Sequence, residues 1–262
     1  MTTGTIHILE AEVLDHQEVA REHFVMTLDA PEIARGARPG QFVMARSLGA
    51  WDPLLPRAFS VYHADAEGGC ISLLYREVGR GTGRLRRNEP GSFVHLWGPL
   101  GNAFSLPEGS RVIFVGGGVG VPPLVFWAER LAELAVPMEM VALVGAATKE
   151  FLVGLEHFRR ARVLTRVATD DGTAGHHGLV TELLPEFMEG ARTHLYACGP
   201  MGMLAAVAKI AEAREARAEL ALEAPMACGV GACLGCTVPR REGGYARVCT
   251  DGPVFGASEI AW

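Results

Sequence analysis

Apolar and polar residues change their rhythm twice along this chain. Up to about Leu106 the apolar positions fall in short or alternating runs, HFVMTLDA, QFVMARS, RAFSVYH, CISLLYREV and SFVHLWG, parted by Gly, Pro, Asp and Asn. A period of two over so few residues is the pattern of half-buried strands, and strands without helices between them predict a β-barrel. From Arg111 to about Arg217 strand-like runs (RVIFVGG, MEMVALVG, RVLTRVA, THLYACG) alternate with helical patterns (LVFWAERLAEL, GLVTELL, MGMLAAVAKIAEA). That alternation predicts an open, doubly wound parallel sheet flanked by helices. The remaining residues hold little apolar material, so a small third unit is expected. The predicted division is 1–106, 107–218 and 219–262, a multidomain β plus α/β chain.

One stretch resembles a membrane span in hydropathy. Val112 to Ala128 is seventeen residues without a charge, within the roughly 17 to 25 that cross a bilayer. Gly116, Gly117, Gly118, Gly120, Pro122 and Pro123 interrupt it, so strand, glycine turn and helix is the better parse and no transmembrane segment is expected. The N-terminal MTTGTIHILEAEV lacks the basic and then apolar order of an export signal. At 262 residues, 49% hydrophobic and 21% charged, the chain suits two compact domains and a small third. A formal charge of -6 offers no basic surface for nucleic acid.

Six cysteines, four of them in one segment, point to metal ligation rather than a disulfide framework, and so to a reducing cytoplasm. Cys228, Cys233 and Cys236 stand in CGVGACLGC, and Cys249 follows after twelve intervening residues. The C-x4-C-x2-C spacing with a distant fourth thiolate is that of a plant-type [2Fe-2S] site. Gly229, Gly231 and Gly235 let backbone approach the sulfurs. A structural zinc, for which paired C-x2-C knuckles are more usual, and a set of unrelated buried thiols are the alternatives. A unit this small would depend on its metal for stability.

The glycine run Gly116, Gly117, Gly118 and Gly120 lies between a strand and a helix, where a doubly wound sheet binds a dinucleotide against a helix N-terminus, or where the chain merely turns tightly. Cys198, Gly199 and Pro200 follow a second apolar strand in the same way, and Gly-Pro could equally start a helix. Asp170-Asp-Gly172 is a turn that either touches a ribose or only reverses the chain. In the first region Arg57-Ala-Phe-Ser60 offers a fixed cation, an aromatic face and a hydroxyl, with Arg57 and Phe59 expected on one strand face and Ala58 and Ser60 on the other. Such a set suits the pyrophosphate and flat ring of a flavin dinucleotide, or an ordinary half-buried strand. Tyr75, Arg76, Gly79, Gly81 and Thr82 mark a strand running into a basic glycine-rich turn, a second phosphate contact. Arg84–Arg87, His176, His177 and Glu223 read as solvated surface or loop, and Cys70 as core.

The order of these parts resembles the electron-transfer subunit of NAD-dependent dihydroorotate dehydrogenase, a branch of the ferredoxin reductase superfamily. The likeness runs through RAFS and VGRGT, VGGGVGVPPL, ATDDGTAGHHG, CGPM, EAPMACGVGACLGC and VCTDGPVF. It implies FAD on the barrel, held by Arg57, Phe59, Ser60, Leu74, Tyr75, Arg76, Gly81 and Thr82. It implies NAD(H) on the second domain, and a [2Fe-2S] cluster on Cys228, Cys233, Cys236 and Cys249. Phe59 stands where this family often has an aliphatic residue. VALVGAATKEF lacks the basic pair that would accept a 2′-phosphate, which favours NADH over NADPH, with Lys149 the one cation in that segment that leaves NADPH open.

The resemblance further implies a partner, an FMN-containing dihydroorotate dehydrogenase catalytic subunit, in a dimer of heterodimers. Electrons from dihydroorotate would reach NAD+ through the cluster and FAD, with no catalytic acid or base on this chain. Two other readings use the same modules. One is a reductase subunit of an electron-bifurcating or hydrogenase complex, some of which replace a cysteine ligand by aspartate; the four cysteines here favour the dihydroorotate branch. The other is a non-enzymatic redox sensor or assembly subunit.

Overall fold

The computed structural model describes residues 5–49, 52–134, 137–188 and 192–262; the first four residues of the N-terminal segment read above lie outside that range. The first region contains β1 (His7–Ala20), β2 (His23–Asp29), α1 (Pro31–Gly36), β3 (Phe42–Ser47), β4 (Arg57–Ser60), β5 (His63–Asp65), β6 (Cys70–Arg76), α2 (Arg80–Leu85) and β7 (Phe93–Leu100). Its seven strands form one antiparallel sheet in the order β4-β3-β7-β1-β2-β6-β5. The sheet curls over Val13, Met26, Leu28, Val43, Ile71, Leu73, Val94 and Leu96 and brings β4 against β6, where the rings of Phe59 and Tyr75 lie 5.5 Å apart. The expected barrel is thus a half-barrel, with β4 and β5 at the ends of the strand order.

Two elements differ from expectation. β1, which the short runs named above do not include, is the longest strand among the described residues, with exposed Ile8, Glu10 and Glu12 alternating with buried Ala11 and Val13. The glycine-rich turn after β6 is a helix, α2. Thr82 ties its start, its Oγ1 accepting from the Val78 and Gly79 N–H groups (2.9 and 3.2 Å) and donating to the Gly79 carbonyl (3.1 Å). These bonds offset the conformational entropy that glycines cost in a helix.

The second region comprises β8 (Arg111–Gly117), α3 (Pro122–Glu133), β9 (Glu139–Ala146), α4 (Leu155–Arg160), β10 (Leu164–Thr169), β11 (His176–His177), α5 (Leu184–Phe187), β12 (Thr193–Cys198), α6 (Met201–Ala213) and β13 (Arg217–Ala221). β11-β10-β9-β8-β12-β13 run parallel. Alternate residues of the buried strands feed two cores. Val112, Phe114, Ala142 and Val144 meet Leu124, Val125 and Ala128 of α3 on one face, while Ile113, Val115, Val141 and Leu143 meet Leu204 and Val207 of α6 on the other. Pro122 and Pro123 start α3 where no N–H partner is needed. The chain winds outward from β8 in both directions, so the carboxyl ends of β8 and β12 flank the switch point where such sheets bind ligands.

The third region holds β14 (Thr237–Pro239), β15 (Tyr245–Arg247) and β16 (Val254–Gly256). It has more core than its composition suggests. Val238, Ala246, Val248, Phe255 and Ile260 join the core under α6, and β16 adds antiparallel to β13. The expected division after residue 218 falls inside β13. Phe42, Met44 and Leu100 of the half-barrel belong to the same core. Across the opposite side, the Glu129 carboxylate of α3 accepts from His63 Nδ1 of β5 (3.0 Å) and His157 Nδ1 of α4 (2.8 Å), fastening the half-barrel to the parallel sheet.

Candidate functional site

The half-barrel and the parallel sheet enclose a cavity of about 450 Å³. Arg57, Phe59, Ser60, Leu74, Tyr75, Arg76 and Thr82 all border it. So does Ala58, although alternation places it opposite Arg57 and Phe59: β4 is an edge strand, and the cavity wraps around its end. Gly81 lies just behind the wall. A Cβ there would stand 2.5 Å from Arg57 Nε, so this glycine makes room for the guanidinium against the first turn of α2. Arg57 Nη1 donates to the carbonyls of Leu55 (2.8 Å) and Pro56 (3.1 Å), leaving its charge unpaired by any carboxylate among the described residues. Arg76 differs. Its guanidinium donates twice to Glu22 Oε2 (3.1 and 2.8 Å) and lies over the Phe151 ring, 4.6 Å from its centre. Of the two cations, Arg57 is the one free to meet a phosphate.

The far wall comes from residues that pattern reading did not assign: Val119 and Pro122 at the glycine turn, Leu222–Met226 after β13, and Pro253. Glu223, read as surface, belongs to this wall. It opens to solvent through the cavity mouth, yet surrounding protein desolvates its carboxyl and pushes it up. No local signal marks these residues, since they meet β4 only through the packing of three regions.

Over the switch point lies a second cavity of about 600 Å³, bordered by Gly117, Gly118 and Pro200. Gly118 has φ +54°, a conformation that favours glycine. Gly116, Gly120, Cys198 and Gly199 are not on its surface. They hold the two loops together: a Cβ on Gly120 would collide with the Cys198 carbonyl oxygen, and one on Gly117 would come 2.9 Å from Pro200 Cδ. Cys198 is buried, which pushes its thiol well up. Lys149 is not on the cavity wall.

The four cysteines of the third region come together: Cys233 acts on the Cys228 thiol, and both Cys236 and Cys228 act on that of Cys249. Backbone N–H groups point at the sulfurs, Gly231 to Cys249 Sγ (3.2 Å) and Val230 to Cys228 Sγ (3.5 Å). Burial tends to raise the Cys228 thiol, but the N–H groups of Val230, Cys233 and Ala232 and the Cys233 thiol outweigh it and bring it to about 7. Burial, reinforced by Cys236, pushes Cys249 up to about 12. Four thiols with backbone N–H groups aimed at them fit a [2Fe-2S] cluster, which takes two thiolates on each of its two irons. Gly229 (φ +71°) lets this loop press on Met44, 2.7 Å from a built Cβ, and Trp97 Nε1 donates to the Cys228 carbonyl (3.4 Å). The cluster loop therefore rests on the outside of the half-barrel. Met226 borders the 450 Å³ cavity two residues before Cys228, so the two sites adjoin along the chain.

His176 and His177 do not converge on a common ligand; His176 Nε2 pairs with Glu182 Oε2 at 2.6 Å. Cys70, expected in the core, is half-exposed at the start of β6.

Residues 223–261 match the family model for the iron-sulfur cluster binding domain of dihydroorotate dehydrogenase B, and residues 114–209 that for an oxidoreductase NAD-binding domain. The chain is 38% identical to the dihydroorotate dehydrogenase B (NAD(+)) electron transfer subunit of Desulforamulus reducens, over 97% of this chain and 98% of that protein. It is 41% identical to the protein of the same name from Bacillus caldolyticus, over 95% and 96%. Among solved structures, that of an NADH-dependent reduced ferredoxin-NADP oxidoreductase, described for flavin-based electron bifurcation, superposes with a TM-score of 0.86 at 28% identity, covering 100% of this chain and 92% of that one. A ferredoxin reductase of carbazole 1,9a-dioxygenase shares the fold, with a TM-score of 0.72 at 20% identity over 82% of this chain and 68% of that one.

Proposed function

The chain belongs to the family of dihydroorotate dehydrogenase B electron transfer subunits, and from that premise we propose that it carries electrons from a dihydroorotate dehydrogenase catalytic subunit to NAD+ in pyrimidine biosynthesis. When bound, FAD exchanges a hydride with NAD(H) and single electrons with a [2Fe-2S] cluster, which joins two-electron to one-electron traffic. The chain's own residues bind, orient and insulate these groups. Arg57 meets the flavin pyrophosphate, with Gly81 and Thr82 shaping the α2 turn beside it. Phe59, Ser60, Leu74, Tyr75 and Arg76 line the flavin's side of the cavity. Gly117, Gly118 and Pro200 face NAD(H), on loops that Gly116, Gly120, Cys198 and Gly199 lock together. Cys228, Cys233, Cys236 and Cys249 hold iron.

The observation that carries this reading is the adjacency of the sites. The segment Leu222–Met226 walls the flavin cavity and runs directly into the cysteine loop. That loop exposes Cys233 together with Val230 and Leu234. Cofactors held at these sites would lie next to one another within a single packed unit, with the exposed Cys233 edge of the loop open to a redox partner. The partner is an FMN-containing catalytic subunit, in a dimer of heterodimers, in the cytoplasm. Among the described residues no helix is long and apolar enough to cross a membrane.

The test is dihydroorotate-dependent NAD+ reduction by the anaerobically purified chain mixed with an FMN-bearing catalytic subunit, each protein alone serving as control. Turnover confined to the mixture is expected. The similarity to the bifurcating reductase supports a second reading, in which the redox partner is different. A silent mixture, with NADH oxidation by an artificial acceptor retained, would favour it. Flavin binding without any NADH oxidation would instead indicate a redox sensor.

A further inference from the structure

Strand β7 sends Val94 and Leu96 into the half-barrel core and presents the alternate residues, His95 and Trp97, on the sheet's outer face. The neighbours of Trp97 on the two adjoining strands have opposite surroundings. Ile8 of β1 is 71% exposed, whereas Met44 of β3 is fully buried. The cysteine loop covers Met44: a Cβ on Gly229 would stand 2.7 Å from Met44 Cγ and 3.0 Å from Leu100 Cδ1. Trp97 is thus half-buried at the rim of the covered patch, its ring steeply inclined to that of His95 (68°, 5.5 Å between centres). From that rim its indole N–H donates to the Cys228 carbonyl (3.4 Å).

That carbonyl opens the turn that serves the sulfurs. Gly229 follows with φ +71°, and the next two backbone N–H groups donate to two different cysteines, Val230 to Cys228 Sγ (3.5 Å) and Gly231 to Cys249 Sγ (3.2 Å). Among the described residues, Trp97 is the one side chain other than the cysteines that hydrogen-bonds to Cys228–Gly231. Donors aimed at the sulfurs set the potential of an iron-sulfur cluster, because reduction adds negative charge that they stabilise. Partners one bond further out fix the orientation of the ligands and so act on the same property.

We propose that Trp97 is a positioning residue for the cluster: by holding the Cys228 carbonyl it keeps the Val230 and Gly231 N–H groups aimed at sulfur and so favours the reduced state. The inference rests on the reading of the four cysteines as [2Fe-2S] ligands. Without the indole N–H the turn is free to rotate, its bonds to sulfur weaken, and the cluster becomes harder to reduce. At a fixed potential the ratio of reduced to oxidised cluster falls about tenfold, a downward shift of about 59 mV for one electron.

The test is a dye-mediated redox titration of the anaerobically purified, flavin-loaded chain, followed by the cluster's visible absorbance and by the paramagnetic resonance of its reduced state. Wild type is compared with Trp97→Phe and with a variant that carries benzothienylalanine at position 97, introduced by amber suppression. Benzothienylalanine keeps the shape of the indole but has sulfur in place of its N–H, so packing on Met44 and His95 is retained. In both variants the cluster couple is expected to move down by the stated amount, with altered g-values, while the flavin couple stays in place. A wild-type cluster potential in the benzothienylalanine variant overturns the proposal, whatever Trp97→Phe does, since only the N–H has been removed. Equal movement of the cluster and flavin couples also overturns it, because the half-barrel and not the turn has then been loosened. A wild type with no [2Fe-2S] absorbance and no signal on reduction overturns the reading of the cysteines themselves, and the proposal with it.

Discussion

Replacing Gly81 by alanine separates flavin anchorage from stability. A Cβ at this position would stand 2.5 Å from Nε, 2.7 Å from Cζ and 2.8 Å from Nη2 of Arg57. All three atoms belong to the far end of a long side chain, so the guanidinium moves and the backbone stays. Its displacement breaks the bonds to the Leu55 and Pro56 carbonyls, a half-exposed pair that contributes on the order of 1 kcal/mol in total. Alanine in place of glycine in α2 returns about 0.5–1 kcal/mol. The two effects nearly cancel, and Tm stays within about 4 °C. The flavin loses a charge-assisted hydrogen bond to its pyrophosphate, about 1.5–3 kcal/mol, so its Kd rises roughly ten- to hundredfold. Quenching of FAD fluorescence on titrating the deflavinated protein measures the affinity, and a thermal melt of the same preparation measures stability. A Kd within twofold of wild type would refute the placement of Arg57 as the phosphate anchor. A large loss of Tm would refute the argument that only the side chain gives way.

Two further outcomes are expected. Cys236→Ala, which removes a buried ligand but not the flavin cavity, abolishes the cluster's visible absorbance and electron delivery to the partner while NADH still reduces the bound flavin; loss of flavin reduction in a folded variant would contradict the separation of the sites. Glu129→Gln changes the pH profile of stability. Burial alone would raise the Glu129 carboxyl, but hydrogen bonds from His157 and His63 outweigh it and hold it at about 2, below its ordinary 4.5. That stabilisation, at most about 3 kcal/mol, is present above 4.5 and is lost as the pH falls toward 2. His63 is raised in turn by Glu129, so its share is present below 6.5 and fades as the pH rises through its elevated value. Denaturant unfolding at several pH values reads both: Glu129→Gln flattens the acid limb, and an unchanged acid limb would count against the fastening role of this pair.

Much of the molecule could be read along the chain because the relevant physics is local. The spacing of Cys228, Cys233 and Cys236 limits where thiolates can meet, and the glycines between them let N–H groups reach sulfur. The alternation of strand and helix patterns after Arg111 is enough for a doubly wound sheet, because each apolar face must be covered. Arg57-Ala-Phe-Ser60 was recognisable for the same reason, as a cation and an aromatic on one short strand.

Tertiary structure decided what depends on distant residues. Whether Arg57 or Arg76 is free was settled by Glu22, 54 positions from Arg76. The far wall of the cavity beside β4 comes from Val119, Leu222–Met226 and Pro253, which approach β4 only when three regions pack. The third region is stable through β16 and the core it shares with α6, a contribution that its own composition does not reveal. Asp170 reaches the cavity over Gly117 and Gly118 through the register of β10 on β9 rather than through spacing from the glycine turn. Spacing along a chain governs groups joined by few bonds; charge pairing, cavity shape and strand register are set by burial and hydrogen bonding between segments far apart in sequence, and these exist only once the chain has closed on itself.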